Sequence, residues 1–294
     1  MTFGNGFRVG SAALAACLTV GLAAPAQAAY PAEWSAPVKP FRIAGGVYYV
    51  GTKGLAAYLI VGKQGAILLD GTTAENAALI ERNIQAVGVP LTSVKWLLSD
   101  HAHNDHVGAL AQIQKDTGAR FAASAGDRAA LESGAPRGDT DYDVTGYHFA
   151  PIRLDRVVQD GESVAVGDAV LTAHLTPGHT PGCTSWTTTV SEGGRSLRVL
   201  FLCSITVAGN ILVGNRAYPT IAADYEMTFA KLATMKADVL LTSHPEMAHV
   251  LDREARRESG KPDAFIDPSA LPTLVAASKA RFEASLAAAG KAVR

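Results

Sequence analysis

Short apolar runs bounded by glycine, proline or charged residues alternate with amphipathic stretches through the first half of the chain. Runs of four or five apolar residues are typical of buried strands. Such runs predict strands at 47–50, 57–61 and 66–70, and the segment 94–98, which is apolar except for Lys95, predicts a further buried strand. Thr72 with Glu75 fits the capping-box pattern and predicts a helix that continues to about Val87. A second helix is predicted at 107–115 and ends at Gly118.

The second half of the chain repeats this order. Further strands are predicted at 164–166, 169–175 and 239–241. Residues 185–190 and 197–202 predict a hairpin that turns near Gly193. Helices are predicted at 225–235 and 268–289, and residues 30–40 predict an extended arm. Strands followed by a helix, twice over, indicate a mixed α/β fold with two stacked sheets and helices outside.

The longest apolar run lies at the N-terminus. Arg8 precedes an apolar stretch at 9–23, and small residues follow at 25–29, which is the pattern of a secretory signal. We expect cleavage after Ala28, a signal peptide at 1–28, a single domain at 29–294 and a periplasmic location. Two alternatives remain open: a membrane anchor, for which the run is short, and lipidation at Cys17, because residues 14–17 resemble a lipobox.

Composition narrows the classes of partner. The chain is 48% hydrophobic and 18% charged, with a formal net charge of −1. This hydrophobic content suits a large buried core. The near-neutral balance gives no basic surface for nucleic acid and no acidic tail. We therefore expect a small-molecule partner, with no nucleic acid and no membrane span.

Four potential metal ligands fall within six positions directly after the predicted strand at 94–98: His101, His103, Asp105 and His106. In extended backbone, His101 and His103 point to the same side. Imidazole and carboxylate groups together suit zinc. Because the chain has only eight histidines, this clustering is not expected by chance.

Two further histidines follow predicted strands. His179 lies in Thr-Pro-Gly-His-Thr-Pro-Gly at 176–182, and His244 lies in Ser-His-Pro at 243–245. Taken alone, each would more often be an ordinary loop histidine. Together with the first cluster, they predict one site built where several strands end.

These three motifs resemble the metallo-β-lactamase superfamily over residues 47–247. The resemblance implies an αββα four-layer sandwich made of two stacked mixed sheets with helices outside. Common di-metal hydrolases of this superfamily carry a bridging aspartate near 202–210, and this chain has none there. Ser204 matches the serine of subclass B3 β-lactamases, so the chain resembles that subclass.

The resemblance implies a function and a role for each site residue. Two Zn²⁺ ions per chain are implied. The first would be held by His101, His103 and His179, and the second by Asp105, His106 and His244. Asp105 would also be catalytic, and Ser204 and Thr206 would bind substrate. The implied function is that of a secreted monomeric hydrolase that opens the β-lactam ring of penicillins, cephalosporins and carbapenems. A lactonase or thioesterase-like hydrolase and a non-catalytic zinc-binding protein remain as alternatives.

The chain departs from the usual subclass pattern at Asp100, Asn104 and Ala109. None of these is a ligand position, so the departures bear on substrate range more than on metal binding.

Cys203 precedes Ser204, and a one-residue shift would make it a thiolate ligand, as in subclass B1. Alternation along a strand puts the two side chains on opposite faces, so only one of them can face the metals. We expect Ser204 to face the metals. The hairpin would bring Cys183 near Cys203, and we expect two buried free thiols, with a disulfide as the alternative.

Several other residues receive supporting roles. Asp70 is a candidate for ordering the ligand loops, and the loops at 52–57 and 134–150 are candidates for the rim of the site. His148, His174 and His249 lie outside the motifs and are expected to be structural or surface residues.

Overall fold

A computed structural model describes residues 1–4, 30–136, 140 and 147–292. Apart from the first four residues, the predicted signal segment lies outside this range, as do Cys17 and the proposed cleavage position after Ala28. The signal peptide, the periplasmic location and the start of the mature domain therefore stay predictions.

The first sheet contains seven strands in chain order. Their bounds are β1 Phe41–Ala44, β2 Val47–Tyr49, β3 Tyr58–Gly62, β4 Gly65–Leu69, β5 Val94–Leu98, β6 Arg120–Ser124 and β7 Arg156–Val158. Strands β1 to β4 pair antiparallel, and β4 to β7 pair parallel. The four strands predicted in this half are confirmed, whereas β1, β6 and β7 were not predicted.

The second sheet contains five strands in the order β12-β11-β10-β9-β8. Their bounds are β8 Ser163–Val166, β9 Ala169–Leu175, β10 Thr184–Glu192, β11 Arg195–Leu202 and β12 Val239–Thr242. Only β11 and β12 pair parallel. The predicted hairpin is confirmed, since Glu192 pairs with Arg195 across the turn.

Helices cover the outer faces of both sheets. Their bounds are α1 Ala77–Ala86, α2 Asn104–Val107, α3 Leu110–Thr117, α4 Arg128–Ser133, α5 Ile221–Thr234, α6 Val250–Glu258 and α7 Ala270–Ala292. Helices α1 to α4 lie within the crossovers that join the parallel strands β4 to β7, because parallel neighbours need long connections. No helix in the described part of the chain is long and apolar enough to cross a membrane.

Alternate residues of the central strands enter two different cores. Tyr58 and Ile60 of β3 pack into the core between the sheets, while Leu59 packs into the core beneath α1 and α3. This division follows from the two-residue period of a strand. Across the sandwich, the ring centroids of Tyr58 and Phe201 lie 5.1 Å apart. The predicted four-layer αββα architecture is confirmed.

The capping box predicted at Thr72 and Glu75 is wrong. Thr72 has a left-handed backbone with φ of 62°, and a 3₁₀ turn at Ala74–Asn76 precedes helix α1. Thr72 Oγ1 instead accepts a hydrogen bond from the Asn76 side chain, and Glu75 accepts one from Ser35. The helix itself was predicted correctly at its C-terminal end, but it begins later than expected.

Candidate metal centre

The six predicted metal ligands meet at one edge of the sandwich, each in a segment that follows a strand. The segment 101–106 follows β5, His179 follows β9 and His244 follows β12. Asp105 and His106 belong to the short helix α2, so they face a point next to that of His101 and His103. The fold therefore brings together all six residues named from the motifs.

Three imidazoles form the first cluster: His101, His103 and His179, whose potential ligand atoms lie within 4.8 Å of one another. His179 Nε2 lies 3.2 Å from His103 Nδ1. His101 Nε2 is buried and has no hydrogen-bond partner among the described residues. A buried polar atom without a partner is costly, so this nitrogen fits a metal ligand.

Asp105, His106 and His244 form the second cluster. Asp105 Oδ2 lies 3.2 Å from His106 Nε2 and 3.3 Å from His244 Nε2. Two nitrogen ligands about 2.05 Å from a tetrahedral zinc ion would stand about 3.3 Å apart. The donor separations measured in both clusters fit that spacing, so the residues present suit two zinc ions.

Five of the six candidate ligands, all except His101, form part of the wall of a cavity of about 290 Å³. Its lining also contains apolar and neutral polar groups, namely Trp34, Asn104, Pro136, Thr140, Tyr147, Ser204, Thr206, Ala208 and Asn210. The predicted substrate residues Ser204 and Thr206 therefore face the same cavity as the ligands. Their hydroxyl oxygens lie 2.9 Å apart.

The prediction for the rim is half wrong. Pro136, Thr140 and Tyr147 from the loop at 134–150 line the cavity, but no residue of 52–57 does. Leu55, Ala56 and Ala57 are fully buried, because they pack into the fold instead of facing the site.

The N-terminal arm supplies the wall that 52–57 was expected to supply. The Trp34 ring lies 5.9 Å from that of His244, and it stacks on Tyr30 at 5.2 Å. Tyr30 accepts a hydrogen bond from the Asn104 side chain. No site residue was predicted in this arm, and the available signal was the presence of two aromatic residues, Tyr30 and Trp34, close together in a segment without a strand or helix pattern.

The prediction of free thiols is also wrong. Cys183 and Cys203 form a disulfide, with their Cα atoms 5.9 Å apart. This separation lies in the range that a disulfide needs, and the pairing of β10 with β11 sets it. The disulfide removes Cys203 as a thiolate ligand, although its sulfur lies 3.9 Å from His101 Nδ1. Ser204 faces the cavity, as expected from strand alternation.

Comparisons with known proteins agree with this geometry. The profile of the metallo-beta-lactamase superfamily matches residues 52–244, which is more than half of the chain and spans every predicted ligand. The chain belongs to the metallo-β-lactamase superfamily.

Solved structures refine the position of the chain within this superfamily. It is 42% identical to BJP-1, a subclass B3 metallo-β-lactamase of Bradyrhizobium japonicum, with a TM-score of 0.84 over 90% of this chain and 99% of that one. It is 35% identical to FEZ-1 from Legionella gormanii, with a TM-score of 0.83 over 87% and 98% of the two chains. These likenesses place the chain in subclass B3.

Two other relatives are a metallo-β-lactamase whose histidine motif differs from that of this chain and a metallo-hydrolase that matches only part of it. A Cronobacter sakazakii metallo-β-lactamase is 36% identical, with a TM-score of 0.82 over 87% of this chain and 97% of that one. That protein is described by its HARLDQ motif, whereas this chain has HAHNDH at 101–106. A probable metallo-hydrolase of Burkholderia pseudomallei is 29% identical over 126 residues, which span 43% of this chain and 40% of that protein.

Burial prepares the imidazoles of this metallo-β-lactamase site for a metal. It lowers the pKa of His101 to about 4 and those of His103 and His179 to about 3. These rings are therefore neutral near pH 7, which is the form that binds metals. Burial opposes a charge on His106 too, but the Asp105 and Asp100 carboxylates outweigh it and raise the pKa of His106 to about 10. Without metal this ring is therefore protonated near pH 7, and a metal ion that binds there would replace its proton.

Asp70 orders the ligand loop from behind, as hypothesised from the sequence. Its Oδ1 accepts a hydrogen bond of 2.9 Å from the Asp100 backbone N–H. Its own backbone is left-handed, with φ of 62°. Gly71, which follows, donates a hydrogen bond of 2.7 Å to the His106 carbonyl. The residues at the end of β4 are therefore hydrogen-bonded to both ends of the segment 100–106.

Asp127 is a site residue that no motif indicated. It ends the 3₁₀ turn Ala125–Asp127 after β6 and accepts hydrogen bonds from Ala102 N, Thr180 Oγ1 and Gly182 N, each 2.9 Å long. One buried carboxylate thus joins the loop of the first motif to the loop of the second. A Cβ on Gly182 would lie 2.3 Å from Asp127 N, so the second glycine of Thr-Pro-Gly-His-Thr-Pro-Gly permits this approach.

Asp127 also gives a pH-dependent contribution to stability. Burial raises its pKa to about 6 against the effect of its three donors. Because the unfolded value is about 3.9, the contribution is fully present below about pH 4 and is lost as the pH rises to about 6. We expect the free energy of unfolding of the metal-free protein, minus that of Asp127→Asn, to fall over this interval. Urea unfolding in a chelator at several pH values measures this difference. A difference that does not change with pH would contradict the assignment.

Proposed function

We propose that this chain is a secreted, two-zinc β-lactamase that opens the β-lactam ring of penicillins, cephalosporins and carbapenems. The observation that carries the proposal is the pair of adjacent three-residue ligand clusters, five of whose six members line a single cavity. Three protein ligands per zinc leave a position open for water or substrate, which is the arrangement of catalytic sites and not of structural ones. This argues against the non-catalytic zinc-binding alternative.

When bound, zinc supplies a Lewis acid for the lactam carbonyl and lowers the pKa of water to about 7. The residues of the chain hold and orient the reactants around it. The neutral imidazoles and the single carboxylate of Asp105 leave most of the cationic charge uncompensated. The Asp105 side chain keeps 12% of its surface exposed, so it can accept a hydrogen bond from the attacking water.

The described part of the cavity offers neutral donors for the substrate carboxylate. Among the described residues that line the cavity there is no lysine or arginine. Ser204 and Thr206 offer adjacent hydroxyl groups, and the Trp34 ring offers an apolar face beside His244. A small bicyclic substrate with one carboxylate suits this combination. The likeness to subclass B3 β-lactamases over most of the chain favours a lactam over a lactone or thioester.

Hydrolysis of a panel of penicillins, cephalosporins and carbapenems by the zinc-loaded protein tests the proposal. Lactone and thioester substrates are assayed in parallel. We expect ring opening of the β-lactams, its loss in excess chelator and its recovery when zinc is added back. Full zinc occupancy with turnover of lactones or thioesters only would replace the proposal with the alternative hydrolase.

The proposal includes export and a monomeric state. The apolar run at 9–23 and the small residues at 25–29 support a cleaved signal peptide. N-terminal sequencing of protein recovered from the periplasm is expected to begin at Ala29, and light scattering is expected to give the mass of one chain. A retained N-terminus or a lipidated Cys17 would contradict the proposed processing.

A further inference from the structure

A buried carboxylate stands directly behind the first metal ligand. Asp100 is 3% exposed, and it is one of the positions at which the chain departs from the subclass pattern. Its Oδ1 lies 2.8 Å from His101 Nδ1. The other ring nitrogen, Nε2, is the one left without a partner for a metal. The Asp100 carboxylate therefore sets the orientation of the His101 ring.

The same carboxylate also faces the second cluster. One oxygen of Asp70, one oxygen of Asp100 and a ring nitrogen of His106 lie within 4.8 Å of one another. His106 Nε2 faces Asp105, so Nδ1 is directed toward the carboxylate pair. Both His106 Nδ1 and Asp100 Oδ2 are buried without a hydrogen-bond partner among the described residues. Asp100 and His106 are therefore the two members of this group that each still have a buried polar atom to satisfy.

We infer that Asp100 is a positioning residue shared by the two metal subsites: its carboxylate orients the rings of His101 in one cluster and His106 in the other. The inference rests on the proposed two-zinc site. A carboxylate behind a metal-bound imidazole fixes its orientation and raises its basicity. One carboxylate placed behind a ligand of each cluster makes metal affinity at both subsites depend on the same negative charge.

The backbone of Asp100 is held independently of its side chain. Its N–H donates to Asp70 Oδ1 at 2.9 Å, and its carbonyl accepts from Thr184 N at 2.8 Å. Replacing the side chain therefore leaves these two anchors of the loop in place. A change in metal affinity on substitution would report the carboxylate itself, and not the path of the loop.

Zinc titration of the metal-free full chain against a chromophoric chelator tests the inference, with Asp100→Asn and the smaller Asp100→Ser as variants. We expect affinity to fall by about 10- to 100-fold at both subsites. Cobalt(II) in place of zinc should show altered ligand-field bands. Circular dichroism of each metal-free variant checks folding.

Asp155→Asn is the matched control. The Asp155 carboxylate is only 10% exposed and accepts a hydrogen bond from Phe121 N, but it contacts neither cluster. The zinc affinities of this variant should equal those of the wild type.

The possible results separate the inference from the function on which it rests. Wild-type affinities at both subsites in a folded Asp100 variant would overturn the inference, and so would a loss confined to the first subsite. A wild-type protein that binds fewer than two zinc ions would instead overturn the two-zinc proposal. Two bound zinc ions without β-lactam turnover would overturn the proposed reaction and leave the role of Asp100 measurable.

Discussion

Replacing His179 by alanine should lower kcat/KM for β-lactam hydrolysis by about 10³-fold or more, because the first cluster loses one of its three ligands. His179 Nδ1 lies 2.9 Å from the Thr206 carbonyl oxygen, which fixes the ring so that Nε2 faces His103. No neighbouring side chain in the described structure can replace that nitrogen. Zinc content should fall from two ions per chain toward one, since the second cluster remains complete.

His174→Ala is the matched control for this experiment. His174 lies on β9, and its Nε2 lies 2.8 Å from Thr187 Oγ1, away from the cavity. Steady-state kinetics and metal analysis of both variants should show an effect at His179 only. Equal activity of the two variants would show that the three-histidine cluster is not the catalytic metal site.

Replacing Trp186 by alanine should lower the free energy of unfolding by about 3–5 kcal/mol. Trp186 is fully buried between the sheets, beside Phe201 across the β10–β11 pair. Its Nε1 donates a hydrogen bond of 3.1 Å to the Ser99 carbonyl, just before the ligand segment. The substitution would therefore open a cavity in the core and also release one anchor of the metal site.

Trp186→Phe separates these two effects. It keeps most of the ring volume but leaves the Ser99 carbonyl without its donor, at a cost of about 1–3 kcal/mol. Urea unfolding at one fixed zinc concentration measures both variants, because bound metal adds to apparent stability. A loss below about 1 kcal/mol for the alanine variant would mean that the core closes around the missing ring.

The clustering of the six candidate ligands could be predicted from the sequence because most of its information is local. His101, His103, Asp105 and His106 lie within one short segment, and the strand before them is apolar except for the exposed Lys95. His179 and His244 each follow a strand, so the same edge of the sandwich receives them. The family resemblance then supplied the order of the layers, which periodicity alone left open.

The structural elements that were missed are those with weak local patterns. Strand β6 reads Arg-Phe-Ala-Ala-Ser, without a β-branched residue, and β7 has only three residues. Helix α6 has only two buried positions, Val250 and Arg253, so its apolar stripe is too narrow to recognise. In each case packing against neighbours decides the conformation, and intrinsic propensity does not.

The missed site residues act over long sequence separations. Trp34 reaches His244 from the opposite end of the chain, and Asp127 joins two loops that carry separate motifs. The state of Cys183 and Cys203 depends on the register and side-chain directions at the end of a hairpin, which spacing along the chain does not set. Such contacts exist only after the sheets have formed.

The disulfide beneath His101 has a practical consequence for handling the enzyme. A thiol reductant would act on it in two ways, since thiolates bind zinc and also open disulfides by exchange. Inhibition by such a reagent would therefore combine rapid loss of metal with a slower change in the framework beneath the first cluster. Dilution into zinc would restore the first component at once, whereas the second would return only upon reoxidation. A phosphine reductant, which lacks a thiolate, would isolate the slower one.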